Sequence, residues 1–198
     1  AGVRGWGGAF RLADGAPVWK FNTVPLPGEP GSETWSDPAS PLIGGGAVWT
    51  VLSLDAETGT VYAPVANPAP DFYDVARLGD NLYAESLVCL DAETGAVIWK
   101  HRRPKLPNYT TPVMVTAHGK LQMAFAGGEV ITSIDPLTGK KHWEFPGSTQ
   151  ECVATAVTDG KRIFVSGGWP KNHIAAIEAD GSGKVTWQNT ARVYVPSM

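Results

Sequence analysis

One pattern recurs along this chain of 198 residues and constrains its folding more than any other feature: an acidic turn, a glycine, then a tryptophan. The clearest copy runs Leu90-Asp91-Ala92-Glu93-Thr94-Gly95-Ala96-Val97-Ile98-Trp99, and a second runs from Ile134-Asp135 through Thr138-Gly139 to Trp143. Looser copies span Ile177 to Trp187, with Asp180 and Gly183 in the turn, and Leu12 to Trp19, with Asp14-Gly15. A fifth, Leu54-Asp55-Ala56-Glu57-Thr58-Gly59-Thr60-Val61-Tyr62, has Ala63 where the tryptophan would fall. Trp99, Trp143 and Trp187 follow one another at intervals of 44 residues, and Trp19 to Ala63 is again 44.

Each copy reads as a hairpin turn: the Asp carboxylate accepts backbone N–H groups and the Gly takes a positive φ. The tryptophan then lands on an outer strand, where its large face can cover the contact with a neighbouring unit. Between turns lie short strand-like runs bounded by Gly or Asp, such as Gly119 to Phe125 and Arg162 to Ser166. With 23 Gly and 16 Pro, every window long enough for a helix is interrupted. A period near 40–45 residues is that of a four-stranded propeller blade. The expectation is therefore an all-β chain, residues 1–198 forming a single partial β-propeller of about four to five antiparallel blades. Open sheet edges at either end call for cover by a protein partner or by a second chain completing the ring.

A net charge of -3 supplies no clustered cationic face for nucleic acid. No stretch approaches the roughly 18 apolar residues of a membrane span. Cys89 and Cys152 stand alone in apolar surroundings and read as two buried free thiols or a single bridge.

The repeat is broken at 63–83, between the copy ending at Tyr62 and the one beginning at Leu90, and the blocks found around that break carry a resemblance. Gly2-Val3-Arg4-Gly5, the triple glycine Gly44-Gly45-Gly46 leading to Trp49, Asn67-Pro68-Ala69-Pro70, and Gly79-Asp80-Asn81 are similar in order and spacing to the quinoprotein alcohol dehydrogenases. Those are eight-bladed propellers that use pyrroloquinoline quinone (PQQ) and usually calcium. Over residues 1–101 the resemblance implies that Trp49 is the floor on which the flat quinone stacks and that Asn67 gives a side-chain oxygen to Ca²⁺. Both roles are sound chemistry, since a planar cofactor suits a large aromatic face and Ca²⁺ takes 6–8 oxygens. The plainer alternatives are a core tryptophan and an asparagine that caps the turn before its prolines.

The chain also departs from that family. Its metal-binding Glu falls immediately ahead of the Gly-Val-Arg-Gly block, where this chain begins at Ala1. Its proton-abstracting Asp falls after the tryptophan matching Trp99, yet no Asp or Glu occurs from Thr94 to Gly128. No catalytic residue is assigned, and His101, two residues past Trp99, reads as solvated. Residues 102–198 resemble the non-catalytic PQQ-like repeat proteins. Two functions follow: part of a PQQ- and calcium-binding alcohol or sugar dehydrogenase, or a propeller scaffold that binds protein without a cofactor. Either implies a periplasmic or secreted location.

Three further patterns carry less. The triple glycine lacks the Lys-Ser/Thr of a phosphate loop. Asp71, Asp74, Asp80 and Glu85 lack metal-loop spacing and read as solvated. Asn108-Tyr109-Thr110 fits a glycosylation sequon.

Overall fold

The computed structural model describes residues 2–70, 75, 77–104, 106 and 108–193. The chain divides into two compact units, Ala1–Arg103 and Pro104–Met198. Helix is confined, among the described residues, to two single 3-10 turns, Ser32–Thr34 and Ser40–Ile43. All sheets are antiparallel, with strands in sequence order.

The first unit holds a hairpin, β1 (Trp6–Phe10) and β2 (Pro17–Asn22), and a four-stranded sheet. That sheet runs β3 (Ser53–Asp55), β4 (Thr60–Pro64), β5 (Ser86–Asp91) and β6 (Val97–Arg102). The second unit holds two such sheets. One is β7 (Val113–Ala117), β8 (Lys120–Gly127), β9 (Val130–Ile134) and β10 (Lys141–Pro146). The other is β11 (Val157–Thr158), β12 (Arg162–Gly167), β13 (His173–Glu178) and β14 (Val185–Asn189). Blade architecture is thus as the repeat implied: three four-stranded blades and a hairpin.

Burial follows position in the blade. The middle strands β4 and β5 are buried on both faces, except at Asp91. They are accordingly apolar without alternation, because both of their faces are covered. The outer strands β6 and β10 instead alternate or lie open, as expected where one face meets water. In the second unit the core between the sheets pairs Ala124, Ala126 and Ala175 with Ile131, Ile163 and Ile177. Small residues on one strand make room for branched ones on the next, which is how two twisted sheets reach close packing.

The acidic turns form as expected. Asp91 Oδ1 accepts from the backbone N–H of Glu93 (3.0 Å) and Thr94 (2.8 Å) and from Thr94 Oγ1 (2.8 Å). Those donors hold the Asp91 carboxyl below its ordinary range, the Thr94 hydroxyl contributing most. Asp135 repeats the arrangement with Leu137 (2.8 Å) and Thr138 (3.1 Å). Trp19, Trp99, Trp143 and Trp187 all lie on fourth strands or, for Trp19, on the second strand of the hairpin.

Two of these tryptophans, Trp19 and Trp143, touch the turn glycine of the following sheet. Trp19 lies over Gly95, so close that an added Cβ would come within 2.6 Å of the indole ring. Its Nε1 donates to Ala92 O of the same turn at 2.9 Å. Trp143 lies likewise over Gly181, and its Nε1 donates to Gln122 Oε1 at 2.8 Å. Gln122, 3 % exposed, also accepts from Ser133 Oγ and donates to Ala179 O beside the next turn. One amide thus ties three strands of one blade to the turn of its neighbour.

The fifth motif copy does not begin a blade of its own. Asp55 to Gly59 is the turn between β3 and β4, the first and second strands of the sheet whose third-to-fourth turn holds Asp91. Asp55 Oδ1 accepts from Glu57 and Thr58 just as Asp91 does from its own turn. The sequence is the same because the local hairpin is the same. Ala63 replaces tryptophan because β4 is an interior strand: Ala63 pairs with Val88 and is buried. The interval of 44 from Trp19 to Ala63 is set by the inserted segment 23–52 between β2 and β3 and does not mark a blade. Ala191 to Met198 also reads in sequence as the start of another blade, and of these 194–198 lie outside the described residues.

Two glycines test the interlock. Gly59 and Gly95 share a positive φ, 65° and 72°, but a Cβ on Gly59 meets nothing within 4 Å. Gly59→Ala is expected to cost about 1 kcal/mol from backbone strain alone. Gly95→Ala adds the clash with Trp19 and is expected to cost about 2–4 kcal/mol in urea unfolding. Equal losses for the two variants would refute the interlock.

Candidate functional site

The blocks that surround the break in the repeat are far apart in sequence and meet in the first unit. Gly45 forms a parallel bridge with Arg4 and an antiparallel bridge with Pro68. Gly45 N donates to Val3 O (3.1 Å) and Gly5 N to Gly45 O (2.8 Å) on one side. On the other, Gly46 N donates to Asn67 O (2.8 Å), Ala69 N to Gly44 O (3.1 Å) and Ala66 N to Ala47 O (2.9 Å). Glu85 N then donates to Ala66 O at 3.1 Å. Segments 3–5, 44–47, 65–69 and 85–86 thus make a small irregular sheet outside the blades.

That sheet explains the glycines. A Cβ on Gly45 would collide with the backbone of Pro68 and Ala69, and one on Gly5 with Gly46 O and Thr23 Oγ1. The triple glycine is a place where three backbones approach too closely for side chains. Thr23, fully buried, fastens it by donating from Oγ1 to Gly46 O at 2.5 Å. The Gly79-Asp80-Asn81 block joins through Trp35 and Tyr83. Trp35 bridges Gly79 and donates from Nε1 to Leu82 O at 2.7 Å, while Tyr83 N donates to Thr23 O at 3.0 Å.

The structure brings Asn67 and the Trp49 segment to this junction. Asn67 is 8 % exposed and pairs through its backbone with Gly46, three residues before Trp49. Its Nδ2 lies 3.4 Å from Pro68 O, which turns the carboxamide oxygen to the opposite edge of the amide. Trp49 is 71 % exposed, so it is no core tryptophan; Trp99 on β6 is 9 % exposed by contrast. An exposed indole presents a large flat apolar face.

The donor set for a cation does not close. Among the described residues no group of three or more His, Cys, Asp or Glu is placed to hold a metal. Ca²⁺ takes 6–8 oxygens, and the Asn67 carboxamide has one to offer. Asp80 is exposed and ion-paired with Arg102, in keeping with the solvated reading. Glu85 serves the junction through its backbone. Asp71 and Asp74 lie outside the described residues. His101 is half-buried on β6 opposite Leu87.

Other expectations resolve clearly. The sequon is overturned as a modification site: Asn108 is 6 % exposed, donates to Ala126 O (3.1 Å) and accepts from Thr110 N and Oγ1. An amide occupied in this way inside the fold has no room for a glycan. Sequence reasoning also passed over Arg77, which is buried and donates from Nη1 to Pro70 O at 2.7 Å, anchoring the end of the Asn67 block. No local pattern marks it, since an arginine in a loop ordinarily reads as solvated. No described helix is long and apolar enough to cross a membrane.

Comparison with known proteins decides the family. Residues 2–105 match the family described as glucose/ethanol/alcohol dehydrogenase, β-propeller domain, of the PQQ type. This chain belongs to that family. It is 28% identical to quinohemoprotein alcohol dehydrogenase ADH IIB of Pseudomonas putida over 94% of its own length. It spans only 25% of that relative. In structure it is similar to the quinohemoprotein alcohol dehydrogenase of Comamonas testosteroni, with TM-score 0.79, 16% identity, and coverage of 98% of this chain and 44% of that one. BamB of Moraxella catarrhalis shares the fold at TM-score 0.51 and 14% identity, over 96% of this chain and 43% of that one.

Neither cysteine belongs to the junction chemistry. Both are buried and unbridged, and burial pushes the Cys89 thiol up to about 11. A thiol held neutral and out of water is a poor nucleophile. At pH 8 the folded chain should leave both thiols unmodified by iodoacetamide, with full labelling once guanidinium unfolds it; mass spectrometry reads the result. Labelling of Cys89 in the folded chain at the denatured rate would contradict its burial.

Proposed function

We propose that this chain is a portion of a PQQ-dependent dehydrogenase propeller in which Trp49 forms the floor under the quinone and Asn67 supplies one oxygen to a calcium ion. The observation that carries the reading is the exposed indole of Trp49, seated beside a glycine-cradled junction that also buries Asn67. Family membership supports it. The two units are, in this reading, successive blades of one propeller. Bound PQQ would supply the hydride-accepting centre for a small alcohol or sugar substrate. What these residues do is narrower: Trp49 stacks and excludes water from one face, and Asn67 orients an oxygen toward a cation whose other ligands lie elsewhere. No proton abstraction is assigned to this chain. A periplasmic or secreted location goes with the family reading.

The carboxylate-free stretch from Thr94 to Gly128 favours a second reading, a propeller kept as a protein-binding scaffold without cofactor. Calorimetry with PQQ and Ca²⁺ separates the two. The dehydrogenase reading expects calcium-dependent PQQ binding that weakens at least about tenfold, or 1.4 kcal/mol, in both Trp49→Ala and Asn67→Ala. Absence of binding, or binding indifferent to both substitutions, would favour the scaffold.

A further inference from the structure

The second unit carries a cleft of mixed polar and apolar lining that nothing above uses. It has a volume of about 1000 Å³ and lies where the loop after β10, the β12–β13 turn and the chain leaving β14 come together. Those connections sit at the ends of their sheets opposite the acidic turns. The cleft is lined entirely by residues of this unit, so it stands independently of Trp49 and Asn67 and of the role proposed for them.

Its chemistry narrows the ligand. Asn172, Gln188 and Lys171 line it, and their side chains make no hydrogen bond to described residues. His173 lines it too, with Nδ1 shut off from solvent and lacking any partner within the chain. Burial lowers the pKa of this imidazole and so favours its neutral form, which donates from one nitrogen and accepts at the other. The lone carboxylate of the lining, Glu129, is already engaged by Gln150 Nε2 at 3.0 Å.

A multiply charged anion would find only Lys171, and a cation only an occupied carboxylate. An apolar ligand would strand two carboxamides and an imidazole without hydrogen bonds, a costly outcome. Hydroxyl groups, which each donate and accept, match carboxamides and a neutral imidazole one for one. Pro146 and Pro170 add flat apolar ring faces to the walls. We infer that this cleft binds a neutral saccharide, its hydroxyls held by Asn172, Gln188 and His173 and its C–H face laid on the prolines. The volume is at the upper end for small-molecule sites and suits several linked sugar units rather than one.

The test uses the intact chain. Cellohexaose, maltohexaose and chitohexaose are each added to about 10 mM, enough for millimolar affinity. The side-chain amide resonances of Asn172 and Gln188 are followed by nitrogen-edited NMR. At least one sugar should move both, saturably, and the Asn172→Ala, Gln188→Ala double variant should bind it at least about tenfold more weakly with an unchanged melting curve. Gln188→Ala alone, at an exposed position on an outer strand, serves should the double variant fold poorly, and it should still weaken binding. The inference is overturned if none of the three sugars moves these resonances, or if binding persists undiminished in the variants. It is overturned equally if an uncharged Ser-Gly peptide perturbs the same amides while every sugar leaves them still.

Discussion

The contact between an outer-strand indole and the turn glycine of the following sheet is what the rest of this structure is arranged around. A single antiparallel blade has two apolar faces and cannot cover either alone. Trp19 over Gly95 and Trp143 over Gly181 close those faces at the edge of the blade, where shape would otherwise diverge because sheets twist. The glycine serves twice at Gly95, since the turn needs its positive φ and the indole needs the absence of Cβ. Repeat period, turn type and packing are thereby tied to one pair of residues.

The irregular sheet of the first unit obeys a different constraint. There the crowding is of backbone against backbone, at Gly5, Gly44 and Gly45, and hydrogen bonding rather than apolar burial joins the segments. A scaffold of this kind is stiff, because each segment is held from two sides. Side chains close to such a backbone are held at fixed positions, Trp49 exposed and Asn67 buried. The blades make the fold and the inserted segments make the irregular sheet, which is where variation enters this repeat architecture.

Much of this could be read from the chain. The Asp-to-Trp repeats at 44-residue intervals foretold four-stranded blades and put each tryptophan on an outer strand. The glycine and Asn-Pro blocks stood out in the sequence by their family resemblance, and the structure joins segments 3–5, 44–47 and 65–69 in one irregular sheet. The Asp55 turn misled because turn chemistry is local: its hydrogen bonds are those of the Asp91 turn, and nothing within ten residues says whether the next strand is interior or outer. The sequon at Asn108 misled for the same reason, since a three-residue pattern is silent about burial.

The sequence alone determined the period, the turn type and the kind of residue at each blade edge, because these depend on φ, on side-chain reach and on spacing along the chain. Tertiary structure decided which turn closes a blade and which lies inside it, that Trp49 faces outward while Trp99 faces inward, and that Arg77 and Asn108 are buried. Those outcomes depend on what other segments cover, and coverage is settled only when residues dozens of positions apart are brought together. The repeated tryptophan is legible as a pattern; what it rests against is a property of the fold.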